Sequence, residues 1–478
     1  MPDSLDPNLP PLRRPVSRGA WAFGCLGTFV LIVVLGGSSV WLYFRGRHQQ
    51  AARAVQAEVD RIHAAGEPIT TEDMVKFHRV SEGVFDATQL WIDAIQAAAA
   101  VEDPNEATLW GPGQLADLSA DSPASLLPVA EKFLAANAEA IDKTRKAAAA
   151  GGQCRYPVDF SQGINSLLPH IQDARGLARV LSLRLDVAVE RQDVAAALES
   201  LELELALAAT MDHEPTLVAQ LVRMADVGIA FQDLRAMISE LPLTDAQLAG
   251  LQRRIEAIDA KQSAKDGLLG ERAMGYHTFH HLSQLEGLEI LAGEDGTLQR
   301  PGDLCVYLGL MREMIEAADE PPAQARITGQ RVEDKLRVLV GKQNPLERLE
   351  TVVTTQLFPA TSRFFDAAAR TQALRDSAVG GIAFRRHQLK HGKAPDSLAA
   401  LVPEYLPAVP LDPFAPVGTP LTLASDGQHY AIYSVGQDGR DDRALLSDAD
   451  SADDHGFVAK LAVPGKSDSS AAPAGANE

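Results

Sequence analysis

The chain has 478 residues, 46% of them hydrophobic but only 5% aromatic. Sixty-four acidic against 44 basic residues leave a net charge of −20, a surface that repels phosphate backbones and argues against nucleic-acid binding. Past the first 44 residues, the length suffices for two or three domains.

Residues 1–19 are proline-rich and polar and read as a disordered tail. From 19 to 44 there is no charged residue. A helix over 20–44 would reach about 37 Å, enough to cross a hydrocarbon core of about 30 Å with some tilt. Twelve of those residues are Leu, Ile, Val or Phe, favouring insertion by about 4–7 kcal/mol. Trp21 at one end and Trp41 with Tyr43 at the other have the placement of interfacial aromatic belts. A cleaved signal peptide is the rival reading. Its apolar region would be unusually long, and the small-residue triplet Gly37-Ser38-Ser39 is followed by further apolar residues. Cys25 lies at the start of the run, not after it, which disfavours a lipoprotein site. Arg13, Arg14 and Arg18 before the span are balanced by Arg45, Arg47 and Arg53 after it. The short preceding tail favours a cytoplasmic N-terminus and an extracytoplasmic C-terminal region, as in a single-pass protein of a bacterial inner membrane. Ala20, Gly24 and Thr28 form a small-x-x-x-small strip suited to helix pairing, although such strips are common by chance.

From 45 to 375 the pattern is helical. Ile171, Ala174, Ala178, Leu181, Leu185 and Ala188 advance by three or four residues and share one face. After the break Arg191-Gln192-Asp193, Val194, Leu198, Leu201, Leu205 and Ala208 form a second stripe. Ala188 and Ala197 are small enough to let the two helices cross closely. Pro215 suits a first helical turn, followed by Leu217, Leu221, Met224, Gly228 and Phe231. Thr244 and Gln247 have capping-box spacing. No 34-residue period is present, so an irregular bundle or solenoid is expected rather than a regular repeat array. Cys154 and Cys305 permit one disulfide, although scattered cysteines are more often buried apolar residues.

His277, His280 and His281 fall on one face of a helix and have the spacing to share a Zn²⁺ ion, with Glu271 or Glu286 as a carboxylate partner. The segment lacks the Glu of H-E-x-x-H, and ordinary polar or hydrogen-bonded histidines fit it as well. No G-x-S-x-G, phosphate-binding glycine loop, G-x-G-x-x-G or C-x-x-C occurs. The chain is therefore read as non-enzymatic, with a membrane-tethered metal-dependent hydrolase as the alternative.

The pattern changes near 371–391, a helix leading to a short amphipathic stretch at 396–402 and a proline-rich run at 403–420. Strands are expected at 421–423, 430–434 and 457–461, with Asp426-Gly427 as a hairpin turn. Residues 464–478 are rich in Ser, Ala, Gly and Pro, and a second tail is placed at 463–478.

The strings His391-Gly392-Lys393-Ala394-Pro395-Asp396-Ser397-Leu398, Pro410-Leu411-Asp412-Pro413-Phe414 and Tyr430-Ala431-Ile432-Tyr433-Ser434-Val435-Gly436-Gln437-Asp438-Gly439 occur in that order. The region 370–462 thereby resembles the C-terminal part of the type II secretion major pseudopilin. In that family the membrane helix runs almost directly into this unit; here a long helical region intervenes, and the pilus-forming leader pattern is missing. The resemblance implies a calcium site in the loop after the Tyr-Ser strand, where this chain carries Asp438, Asp441 and Asp442, with Asp448, Asp450, Asp453 and Asp454 further on. A solvated acidic loop is the alternative.

The expected fold is mainly α. It comprises a tail (1–19), an N-terminal transmembrane helix (20–44), a helical domain (45–375), a small pseudopilin-like α+β unit (376–462) and a tail (463–478). The expected role is an anchored scaffold for an unknown protein partner, tied to the lipid bilayer through 20–44, with an atypical secretion-apparatus subunit as a further alternative.

Overall fold

A computed structural model describes residues 18–98, 123–258, 260–282, 301–344, 347–348, 350–358, 361–443 and 454–461; the side chains of 18–34, 37, 40, 123–125, 260 and 361–362 lie outside that description. Both expected tails fall outside it except for Arg18 and Gly19. The described residues are mainly helical, with one small sheet near the C-terminus.

Helix α1 (Arg18–Ala64) is followed by α2 (Thr71–Phe77), α3 (Thr88–Ala97), α4 (Pro123–Ala136) and α5 (Ala138–Ala150). After a 3-10 turn at Phe160–Asn165 come α6 (Pro169–Glu190), α7 (Val194–Ala209), α8 (Leu217–Glu240), α9 (Asp245–Glu256) and α10 (Ala260–His280). The last helices are α11 (Pro301–Ala318), α12 (Pro322–Val340), α13 (Val352–Leu357) and α14 (Thr361–His391). Among the described residues no helix is long and apolar enough to cross a membrane. Most side chains of 20–44, the expected span, lie outside the description.

Helices α6 and α7 form the expected hairpin. Every residue of the first stripe is buried, as are Leu201, Leu205, Ala208 and the small crossing residues Ala188 and Ala197. The break turns on Gln192, with φ of 57°, and on Asp193, whose side chain accepts from the Ala196 N–H and caps α7. Thr244 and Gln247 complete the anticipated capping box of α9. Helix α8 departs from expectation. It starts at Leu217, capped by Thr216, whose hydroxyl accepts from the Ala219 N–H at 3.2 Å. Pro215 stays outside because its carbonyl presses on α10: a Cβ at Gly270 would stand 1.7 Å from it. Leu221 is exposed, the buried face running instead through Met224, Val227 and Phe231.

The strands are β1 (Thr422–Ser425), β2 (His429–Ser434) and β3 (His455–Lys460), antiparallel in the order β1-β2-β3, within two residues of the expected positions. At the β1–β2 turn Gly427 takes φ of 88°, and the Asp426 carboxylate accepts from the N–H groups of Gln428 and His429. These bonds hold the Asp426 carboxyl down at about 2.

The sheet shares its core with the helices. Leu185, Leu201, Phe231 and Leu248 form one cluster with Ile382, Phe384, Tyr430, Ile432 and Phe457. A second core joins Val59 and Ile62 of α1 to Leu268, Tyr307, Met311, Val332 and Phe364. A third packs Trp91, Tyr156, Ala174, Leu177 and Met211. Helix α14 begins ten residues before the expected 371 and serves two of these cores. Phe364 and Phe365 enter the second, and Ala378 through Phe384 enter the first.

Glycines set the distance between α14 and the sheet. A Cβ on Gly381 would lie 2.3 Å from Phe457 Cδ1, and one on Gly380 3.2 Å from Ile432 Cδ1. Tyr430 donates its hydroxyl to the Gly381 carbonyl at 3.0 Å and stacks on Phe384 at 3.8 Å. Gly381→Ala should therefore cost about 1–3 kcal/mol through overpacking. Gly250→Ala on α9, where a Cβ would meet nothing within 4 Å, should be neutral or stabilising by up to about 1 kcal/mol. Denaturant unfolding of the two full-length variants reads the contrast, and equal midpoints would contradict this account of the packing.

Candidate functional site

The sequence-expected residues divide into two groups. On α10, His280 Nδ1 lies 2.8 Å from the Tyr276 carbonyl and His281 Nδ1 2.9 Å from the His277 carbonyl. His277 and His281 stack at 3.9 Å, so their rings lie face to face rather than around a common point. Glu286 lies outside the described residues. In the loop after β2, Asp438, Asp441 and Asp442 are exposed. Asp438 accepts from the Arg440 N–H, and Asp441 accepts from the Tyr433 hydroxyl at 2.9 Å and the Arg443 N–H at 3.0 Å. Asp448, Asp450 and Asp453 lie outside the described residues. Among the described residues no three His, Cys, Asp or Glu side chains are arranged to hold a metal ion. Both described body cysteines, Cys154 and Cys305, are free thiols.

A cluster of buried polar groups without hydrogen-bond partners lies elsewhere, where the α7–α8 turn meets the end of α2 and the start of α6. Sequence reasoning did not single it out. Glu214 is only 1% exposed, and neither carboxylate oxygen has a hydrogen-bond partner. Its Oε1 stands 3.5 Å from His78 Nε2 and its Oε2 3.7 Å from His170 Nε2. His78 Nε2 carries a proton, donated to the Tyr156 carbonyl at 2.9 Å, while Nδ1 has no partner. His170 stacks on the Tyr156 ring at 4.3 Å, and both its nitrogens are buried without partners. The Tyr156 hydroxyl donates to Thr210 Oγ1 at 3.1 Å. Gln220, fully buried on α8, donates to the carbonyls of Met211 and Glu214 and fixes the turn that carries the carboxylate.

An imidazole beside a buried carboxylate can take up and hold a proton, but the cluster lacks a nucleophile. Burial pushes the Cys154 thiol up to about 12, so it stays protonated and unreactive at neutral pH. Burial likewise pushes the Tyr156 phenol well up. The open cleft of about 580 Å³ beside α14 carries a guanidinium already engaged: Arg375 donates to the carbonyls of Ile255 and Glu256.

A second group of acids lies between α6, α7 and α8. Glu204 and Asp233 are almost fully buried and near one another, with Asp186 close by. Burial first, then the neighbouring carboxylates, pushes Glu204 well above the usual range; burial also raises Asp233. Asp226 is raised to about 7 by burial, against the opposing pull of Arg175 and Arg179.

Compared with known proteins, the chain matches no family model, no curated protein and no solved structure.

These acids predict how stability follows pH. Their folded pKa values lie above the unfolded ones, so the native state binds more protons. Stability is then greatest below about pH 4 from this source and falls as pH rises through 7. Asp226→Asn should remove part of that fall, on the order of a few kcal/mol between pH 5 and 8. Unfolding midpoints of wild type and variant across that range give the check; parallel curves would contradict the assignment.

Proposed function

We propose that the protein is a single-pass membrane-anchored scaffold, non-enzymatic, whose helical body holds a pseudopilin-like C-terminal unit for contact with another protein. One observation carries the reading: α1 is a single helix from Arg18 to Ala64 with two environments. Its final turns are locked into the body, with Val59 and Ile62 buried and Glu58 paired to Arg61 and Arg312. Before those turns, Leu35, Trp41, Leu42, Tyr43 and Phe44 are 56–60% exposed. A run of large apolar side chains on a helix leaving the body costs free energy in water and gains it in lipid.

Arg45 lies over the Trp41 ring at 5.0 Å and Arg47 over Tyr43 at 5.9 Å, the amphipathic combination expected at a headgroup boundary. Because helix continues through that boundary into the core, the body is held at a set height and tilt rather than on a loose tether. The resemblance of 370–462 to the pseudopilin C-terminal region supports a partner within a secretion apparatus or the cell envelope. The stacking of His277 on His281, which keeps their rings from converging on a common point, gives the hydrolase reading less support.

Membrane fractionation tests the anchor. Full-length protein should stay with membranes after alkaline carbonate extraction, and a variant lacking residues 1–44 should move to the soluble fraction. Recovery of the intact chain in the soluble fraction would refute the tether and the envelope role together.

A further inference from the structure

Contacts along α1 locate the end of the body that lies nearest its exposed aromatic residues. Arg312 of α11 donates to Glu58 of α1 at 3.0 Å. Toward the start of α11, Asp303 accepts from the N–H groups of Val353 and Thr354 at 3.0 and 3.1 Å. Glu350, just before them in the chain, stands 3.9 Å from Arg47 of α1. The rise from Arg47 to Glu58 is about 16 Å and that from Asp303 to Arg312 about 14 Å. Helices α1 and α11 therefore run side by side in one direction, and the start of α11, Val353 and Glu350 mark the end of the body closest to Trp41 and Tyr43.

The charge at this end is opposite to that of the whole chain, whose net charge is −20. From 45 to 57, α1 carries Arg45, Arg47 and Arg53, all exposed, and no acid. Lys342 and the exposed Arg348 add two basic groups on the chain leading to Glu350, against the acids Glu347 and Glu350. Val338 and Val340, both exposed at the end of α12, lead into that stretch. We infer that this end of the body is a binding surface for anionic phospholipid headgroups, with Arg45 and Arg47 on one side and Lys342 and Arg348 on the other; the inference rests on the membrane-anchored reading of α1. Basic side chains next to a bilayer are attracted by anionic lipid within a short distance of its surface. Screening limits that range to about 10 Å at 0.1 M salt, so an upright body shows the lipid its basic end and keeps the acidic remainder out of reach. A body that leaned over would bring acidic surface within that range and be repelled. The charge pattern thus orients the body on α1.

The test places a thiol-reactive fluorophore at single sites of the full-length protein with Cys25→Ala and Cys305→Ala. Cys154 stays unlabelled, since burial pushes its thiol up to about 12. The sites are Gln343→Cys in the basic stretch, Leu42→Cys on the exposed part of α1, and Val417→Cys as a distal control. Val417 is exposed and lines one cleft with Pro321 and Pro322, at the opposite end of α12, a helix about 28 Å long. Each protein is placed in nanodiscs of phosphatidylcholine, alone or with 30% phosphatidylglycerol (about one lipid in three, enough to give an anionic surface), carrying a headgroup spin label as quencher. The label at 42 should be quenched in both lipids and that at 417 in neither. Quenching at 343 should be at least twofold stronger with phosphatidylglycerol, and Lys342→Gln with Arg348→Gln should abolish that gain. Quenching at 42 with none at 343 would overturn the lipid-binding surface and leave the tether standing; no quenching at 42 would overturn both. Equal quenching at 343 in the two lipids, or a gain that survives the double substitution, would overturn the recognition of anionic headgroups.

Discussion

The close approach of α14 to β2 and β3 is the contact on which the architecture rests. Two adjacent glycines let the helix backbone come near enough for the Tyr430 hydroxyl to reach a helix carbonyl and for Phe457 to fill the space where a side chain would stand. The same helix carries Phe364 and Phe365 into the core built around α11 and α12. It thereby couples the sheet, the α6–α9 layer and the helices that receive the end of α1. A displacement of this helix would disturb two cores at once, since close-packed interiors transmit changes rather than absorb them.

Packing based on small residues has a consequence for charge. With few aromatics, the bundle fills its interior with Ala, Leu and Val, and helices come close. Polar groups caught between them lose water without always gaining a partner. Burial pushes the carboxyls of Glu204 and Asp233 up toward the protonated form, and that of Asp226 as well despite two arginines nearby. Arg272 follows another route, donating to Glu67 and to the Pro68 carbonyl and so tying the α1–α2 connection to α10. Asp303 is a third case, its carboxylate accepting from the N–H groups of Val353 and Thr354 and from the Thr354 hydroxyl. The Arg272 and Asp303 contacts each join elements far apart in the chain. The uneven case is Glu214, where the local arrangement supplies neighbours at ion-pair distance and no hydrogen bond.

Much of the local structure was legible from residue patterns. The stripes on α6 and α7, the capping box at Thr244 and the Asp-Gly hairpin depend on neighbours within a few residues, where periodicity and turn chemistry act directly. The start of α8 was less legible. Pro215 is compatible with a first helical turn, but a carbonyl pressed against Gly270 of α10 leaves it outside, and that contact is not local. The cluster around Glu214 was not legible at all, because His78, Tyr156 and His170 reach it from other parts of the chain.

The sequence by itself determined the helical character, the small sheet near the C-terminus, the acidic balance and the long uncharged run near the N-terminus, because each follows from composition or short-range spacing. Only the tertiary structure decided that the sheet shares a core with the helices, that α1 ends inside the body, and which ionisable groups lose water. Burial and the approach of distant charges depend on how helices pack, and one-dimensional spacing does not encode which faces meet.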